Sequence, residues 1–386
     1  MEKPIWMIST THMLIEVFYF TQAALIPVMI QEFHLSILEA SLVVTVPSLV
    51  ALSAYIPSGL LADRLNANQL LFASMAIEGI SILMAGQATS YWFLIVALCF
   101  TRIASPVYHA SGVTQISRIT KPDELNMVMG VHNALGDLGT AAGVFSVAFF
   151  LSILSWRWAY TFWAIPVLVW GVVVLMYPQL RISRPKKLRP RSVGGLNGLR
   201  MIVFSTLMIF LVFVGVRELG STAVSAFTTT YLVTRLGTPE ATASLIFGLG
   251  ASVGVVGDLA GGYLGQKIGA KKALSWAMLS CIILLFALTY NSRIYLFSAI
   301  YLAYAFFDYA VWTPMHTIVT EITPEETRGL SYSTYFFAHT LMFSMAPVLA
   351  AGVIQFSDIS IIFPFGCAFL VVSLAILLLL RRHLSH

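Results

Sequence analysis

The chain has 386 residues, of which 58% are hydrophobic and 10% charged, against about 25% charge in an ordinary soluble domain. A sequence this apolar is excluded from folding as a water-soluble globule and belongs in a bilayer. Its net charge of +5 follows from where the loop lysines and arginines sit and gives no argument for nucleic-acid binding.

A helix that crosses a bilayer needs about 20 predominantly apolar residues. Twelve stretches fit, at 5–31, 38–63, 69–88, 91–117, 126–151, 157–178, 200–232, 240–265, 273–290, 294–320, 329–354 and 359–380. The first is too long and, with Glu16 and Gln22, too polar for a cleaved signal, so it is read as span 1. Cys99, Cys281 and Cys367 each fall inside a span, without metal-ligand spacing. They read as packing residues, and neither metal nor cofactor is expected.

Lysine and arginine concentrate in cytoplasmic loops. With the N-terminus inside, 17 of the 22 basic residues are cytoplasmic: Lys3, Arg64, Arg118, Lys121, seven between Arg181 and Arg200, Lys267, Lys271, Lys272, Arg328, Arg381 and Arg382. Arg157, Arg235 and Arg293 lie outside, and Arg102 and Arg217 fall within spans. Both termini are therefore expected in the cytoplasm of a multi-pass cell-membrane protein.

The loop after span 2 returns after span 8. At an offset of 203, Gly59 falls on Gly262, Leu61 on Leu264, Arg64 on Lys267, Ala67 on Ala270 and Met75 on Met278, and Ile119-Thr120 falls on Ile322-Thr323. Two separated loops with one offset point to internal duplication, as in transporters. The basic, proline-containing Arg181-Ile182-Ser183-Arg184-Pro185-Lys186-Lys187 run reads as the linker. The expected fold is all-α, twelve transmembrane helices in two six-helix bundles: residues 1–180, a cytoplasmic linker at 181–198, and residues 199–386.

Six spans, a basic linker and six more, with matching turns, resemble the major facilitator superfamily. Its turn pattern is met by Gly59, Asp63 and Arg64 in the first copy and by Lys267, Gly269, Lys271 and Lys272 in the second, which has Gln266 in place of the acid. The resemblance implies a cytoplasmic gate built from Gly59, Asp63, Arg64, Arg118, Lys267 and Lys271. A narrower likeness, carried by His12-Met13-Leu14-Ile15-Glu16, Ser105-Pro106-Val107-Tyr108-His109 and His132-Asn133-Ala134-Leu135-Gly136-Asp137, is to the fosmidomycin-resistance branch of efflux transporters.

Ionisable groups near the bilayer centre are costly and mark functional sites by default. Counting about 1.5 Å per residue puts Glu16, Arg102, Asp137, Asp308 and His339 near the midplane. In the superfamily spans 1, 4, 7 and 10 line the cavity, which would turn Glu16, Arg102 and Asp308 toward it. Glu16, Asp137 and Asp308 are the candidates for proton coupling, with Glu16 pairing reversibly to Arg102. Arg102, Tyr108, His109, Arg217, Glu218 and His339 are the candidates for substrate contact. Arg217 and Glu218 are adjacent and project about 100° apart, so they are not expected to pair. Gly136, Gly139 and Gly143 in span 5 and Gly250, Gly254, Gly257 and Gly261 in span 8 form small-residue faces for close packing; the adjoining Asp137 and Asp258 read either as a pair sharing a proton across the halves or as part of a packing interface with one hydrogen-bonded acid. Glu78 in span 3 has no account.

These readings describe a monomeric secondary transporter in the lipid bilayer that exports a small amphipathic or anionic compound in exchange for protons. The alternative is a proton-coupled importer of an organic anion, with Arg102 and Arg217 as the binders. An enzyme would need a nucleophile or metal constellation, and only His12 and Glu16, four residues apart, have such spacing. A sensor or scaffold without transport would not keep buried charges, and no ATP-binding loop is present.

Overall fold

A computed structural model describes residues 3–62, 65–121, 124–177, 206–323 and 328–383. Helices α1 (Lys3–Glu16), α2 (Thr21–Phe33), α3 (Ile37–Ala62), α4 (Ala67–Gly86), α5 (Tyr91–Ile119), α6 (Leu125–Ile153) and α7 (Trp156–Met176) come first. Then follow α8 (Thr206–Thr234), α9 (Glu240–Ile268), α10 (Ala270–Thr289), α11 (Ile294–Tyr309), α12 (Trp312–Ile322), α13 (Arg328–Ile354) and α14 (Ile362–His383). Taking α1 with α2 and α11 with α12, twelve spans are long and apolar enough to cross a membrane. The all-α, twelve-span architecture expected from hydropathy is the one observed. The linker expected at 181–198 lies outside the described residues.

Helix starts follow local chemistry. Asn66 and Gln69 form a reciprocal capping box on α4, and Ser90 accepts from the Phe93 amide at the start of α5, satisfying amides that a helix start leaves free. Between α9 and α10, Gly269 has φ of 90°, a left-handed turn position that glycine adopts without cost. This is the second copy of the repeated loop.

The described residues of Met1–Leu188 and Thr238–Gly248 cluster as one unit, and those of Arg189–Gly237 and Leu249–His386 as another. In the first, α4 packs on α5 and α7, α3 on α5, and α1 on α5 and α6. The start of α9 belongs here, with Gln31 donating to Glu240 at 3.0 Å and Ser244 to the Ala24 carbonyl at 3.5 Å. In the second, α8 packs on α13 and α14, and α10 on α11 and α14.

Two spans are interrupted at positions that hold neither glycine nor proline. Residues 17–20 separate α1 from α2, and residues 310–311 separate α11 from α12. Glu16 is the last residue of α1, and Asp308 is the last but one of α11. Interrupted spans expose helix-end amides and carbonyls, the usual setting for substrate and ion sites in transporters.

Both glycine faces pack, each inside its own unit. The face of α6 receives α1: His12 lies over Gly136, and a Cβ at Gly139 or Gly143 would fall on the carbonyl oxygens of Met13 and Val17. The face of α9 receives α11, where Gly257 and Gly261 would collide in the same way with the carbonyls of Phe306 and Ala310. Gly143→Ala must therefore push the interruption off α6. The expected outcome is a loss of about 2 kcal/mol or more, in the range of overpacking, read as a lowered melting temperature in detergent, with transport lost at ordinary temperature.

Candidate functional site

The first cluster gathers on α1, α5 and α6. The rings of His12, Tyr108 and His132 lie nearly parallel, with His12 4.3 Å from His132 and 5.3 Å from Tyr108. His12 Nδ1 is 3.2 Å from the His132 carbonyl. A carbonyl only accepts, so Nδ1 carries the hydrogen and Nε2 faces Glu16 Oε1 at 3.5 Å. His109 Nε2 approaches the same oxygen at 3.8 Å. The Tyr108 hydroxyl donates to the Ile8 carbonyl at 3.2 Å and meets His132 Nε2 at 3.3 Å, while His132 Nδ1 meets Ser9 Oγ at 3.2 Å. A bare Nε2 lone pair against a carboxylate oxygen is repulsive, so a proton belongs between His12 and Glu16. His12, Glu16 and His109 bring three ligand atoms within 4.8 Å of one another, one short of a tetrahedral shell.

Arg102, on α5, corrects the expected Glu16–Arg102 pair. Its guanidinium donates to the Tyr19 carbonyl at 2.6 Å and to Gln22 Oε1 at 3.4 Å and lies over the Tyr19 ring, 5.3 Å from the centroid. The reason is the interruption. The end of α1 leaves carbonyls without helical partners; Val17 is served by Thr21, Glu16 by Thr140 and the Tyr19 amide, and Tyr19 by Arg102. The guanidinium is drawn to a carbonyl that a continuous helix would not present.

The second cluster lies in the other unit, on α8, the α11–α12 interruption and α13. Arg217 is 1% exposed. It donates to Glu218 at 3.0 Å, to the Asp308 carbonyl at 3.0 Å and to the Asp308 carboxylate, and it lies over the Trp312 ring. Ser221 donates to Asp308 at 2.8 Å, and Thr222 to Glu218 at 2.7 Å. His339 Nε2 is 3.4 Å from Glu218 Oε2. Arg217 and Glu218 do pair, against expectation. The 100° separation holds at the Cβ atoms, but two long side chains in a dry interior bend to the partners at hand.

The other expected residues are dispersed. Asp137 is half-buried on α6 and acts electrostatically on His12. Asp258 accepts from the Thr313 amide at 3.1 Å and its hydroxyl at 2.7 Å, within the second unit. Of the gate, Gly59 lies in the last turn of α3, Lys267 is exposed with its Nζ 5.2 Å from the Tyr263 ring centroid, and Lys271 opens α10. Asp63, Arg64 and the Arg118 side chain lie outside the described residues. The sequence reading did not single out Gln22, which accepts from Arg102, because it carries no formal charge in a span, the signal that reading relied on.

The family model described as Major Facilitator Superfamily matches residues 8–290 and 215–386. Among curated proteins, the chain is 21% identical to "Probable nitrate transporter NarT" of Staphylococcus haemolyticus over 71% of this chain and 69% of the relative. It is 25% identical to the MFS-type transporter YceJ of Bacillus subtilis over 92% of this chain and 91% of the relative. Among solved structures, a bacterial homologue of the human lysosomal transporter Spinster, in an inward-facing and occupied conformation, superposes with a TM-score of 0.82 at 16% identity, covering 99% of this chain and 98% of that one.

Proposed function

Because the chain belongs to the major facilitator superfamily, and is thus a secondary transporter of a small molecule and not an enzyme, we propose that it carries a small anion together with protons. One observation carries the choice of anion. Among the described residues, the Arg102 guanidinium at the interruption of span 1 donates to a carbonyl and an amide oxygen and lies over an aromatic ring, with no carboxylate bonded to it, whereas Arg217 donates to two carboxylates. A guanidinium is suited to bind carboxylate or oxyanion groups, and the positive end of α2 beside it favours negative charge.

The acids point the same way. A carrier of cationic drugs needs a carboxylate open to its substrate, but Glu16 is engaged by two imidazoles and Glu218 and Asp308 by Arg217. The nitrate named for the staphylococcal relative is an anion of the kind a single guanidinium holds. Glu16 with His12 and His109, and Asp308 with Glu218 and His339, are the proton-handling groups. Of the two directions read from the sequence, this arrangement favours anion and proton moving the same way over exchange.

The test uses proteoliposomes of the full chain with an internal pH dye and an imposed proton gradient, to which nitrate, nitrite, small carboxylates or cationic drugs are added. Proton entry in step with one of the anions is expected. Arg102→Gln is expected to lower that flux about tenfold to a hundredfold, the range for a charge-assisted bond. Proton movement opposite to a cationic drug, with no response to any anion, overturns the reading.

A further inference from the structure

Several polar groups of the first unit are buried with nothing to bond. Both carboxyl oxygens of Glu78, the Tyr160 hydroxyl and the Gln22 amide nitrogen have no hydrogen-bond partner among the described residues. They come from α4, α7 and α2, and each residue is at most 1% exposed. Buried polar groups are rarely left this way. The three residues are linked through Arg102: Gln22 accepts from it through its other terminal atom at 3.4 Å, and the Arg102 charge acts on both Glu78 and Tyr160. Tyr160 feels Glu78 in turn and stacks at 5.5 Å on Phe18, inside the interruption.

An ionised carboxylate buried without a partner is costly unless a cation meets it. The cation whose charge acts on Glu78 is Arg102, which the reading above assigns to the substrate. One guanidinium thus has two claimants of the same charge, and in a dry interior it neutralises one at a time. The titratable groups acting on Glu78 are Arg102 from α5, Glu16 from α1 and Tyr160 from α7.

Resting on that anion reading, we infer that Glu78 is the proton carrier of the anion site, protonated while Arg102 holds the anion and ionised against Arg102 when the anion has left. The step is one proton taken from water by the carboxylate and one returned; no other bond changes. The Tyr160 hydroxyl and the Gln22 amide are the donors left for the anion, alongside the guanidinium. Coupling follows from charge: an anion enters the site only as a proton enters Glu78.

The experiment measures proton uptake on binding, with the full chain in lipid nanodiscs, weakly buffered, and nitrate as the probe. Wild type is expected to take up one proton per nitrate bound. By the reciprocity of linked equilibria, its nitrate affinity should weaken about tenfold per pH unit once Glu78 is ionised in the nitrate-free protein. Glu78→Gln should take up none and bind nitrate with an affinity independent of pH; a variant that still takes up one proton overturns the inference. Infrared difference spectra judge Glu78 without relying on that variant's folding. The nitrate-free wild type at alkaline pH should lack the protonated-carboxyl band of Glu78, and nitrate should raise it. If neither nitrate nor any other anion binds the wild type, the anion reading fails. A Glu78 band already present in the anion-free protein at that alkaline pH overturns the exchange itself, whatever the substrate.

Discussion

Arg217→Met is expected to be the most damaging single substitution in the second unit. It removes the one cation among the described residues that meets both Glu218 and Asp308, leaving two carboxylates in a site where Arg217 itself is 1% exposed. Breaking a buried ion pair from one side costs about 3–5 kcal/mol, and here two acids lose their partner at once. For a unit of this size each kcal/mol is worth roughly 2–4 °C, so a fall in melting temperature on the order of 10 °C is expected in detergent. Asp308→Asn should cost much less, because it leaves Arg217 and Glu218 balanced one to one. The triple variant Arg217→Met, Glu218→Gln, Asp308→Asn should recover most of the stability while losing transport, since neutral groups of similar volume often replace buried ions without penalty. A single Arg217→Met variant that melts with the wild type would show that the cluster does not hold α8 to the α11–α12 interruption.

The charge count explains why stability and function separate in that triple variant. Fully ionised, the cluster has one positive and two negative groups, and His339, 3.4 Å from Glu218, supplies the balance when it binds a proton. A neutral substitute packs as well but has no proton to exchange. Under the proposed function, these buried charges act as devices that switch rather than as braces.

How much of this was legible in the chain depended on the range of the interaction. The twelve spans follow from apolar length alone, and the duplication from one offset in two loops, so both were read correctly. The glycine faces of α6 and α9 were also visible, because small residues at helical spacing have few other uses. Their partners were not, since nothing local says that Gly139 faces Met13 and Gly257 faces Phe306. The interruptions were invisible for a related reason. Val17 to Phe20 and Ala310 to Val311 contain neither glycine nor proline, and the first is held by side chains that reach its free carbonyls: Thr21, Thr140 and Arg102. The missed pairings have the same origin. Arg102 was matched to the nearest midplane acid because depth can be counted along a helix, whereas the turned-out Tyr19 carbonyl cannot. The histidines looked ordinary one at a time, and only the packing of α1 on α5 and α6 gathers the rings of His12, Tyr108 and His132 into one group.

Glu16→Gln carries the largest expected effect on transport with the fold intact. Glutamine matches glutamate in volume and still offers an oxygen to one imidazole, so melting should change little. What disappears is the negative charge between His12 and His109, and with it the reason for a proton to reside on His12 Nε2, whose ring is fixed by the Nδ1 bond to His132. If the chain carries an anion with protons as proposed, its proton-driven uptake of nitrate in proteoliposomes is expected to fall at least about tenfold, some 1.4 kcal/mol in the barrier, and to lose its acceleration as the outside is made more acidic. This loss differs from that of Glu78→Gln. The Glu16 variant should still take up one proton when nitrate binds, because Glu78 and Arg102 are untouched, but it should fail to turn over; the Glu78 variant should bind without the proton. Wild-type rate and pH profile in Glu16→Gln would reduce the histidine cluster to a brace tying α1 to α5 and α6, and would leave Glu78 as the carboxylate through which the proton must pass.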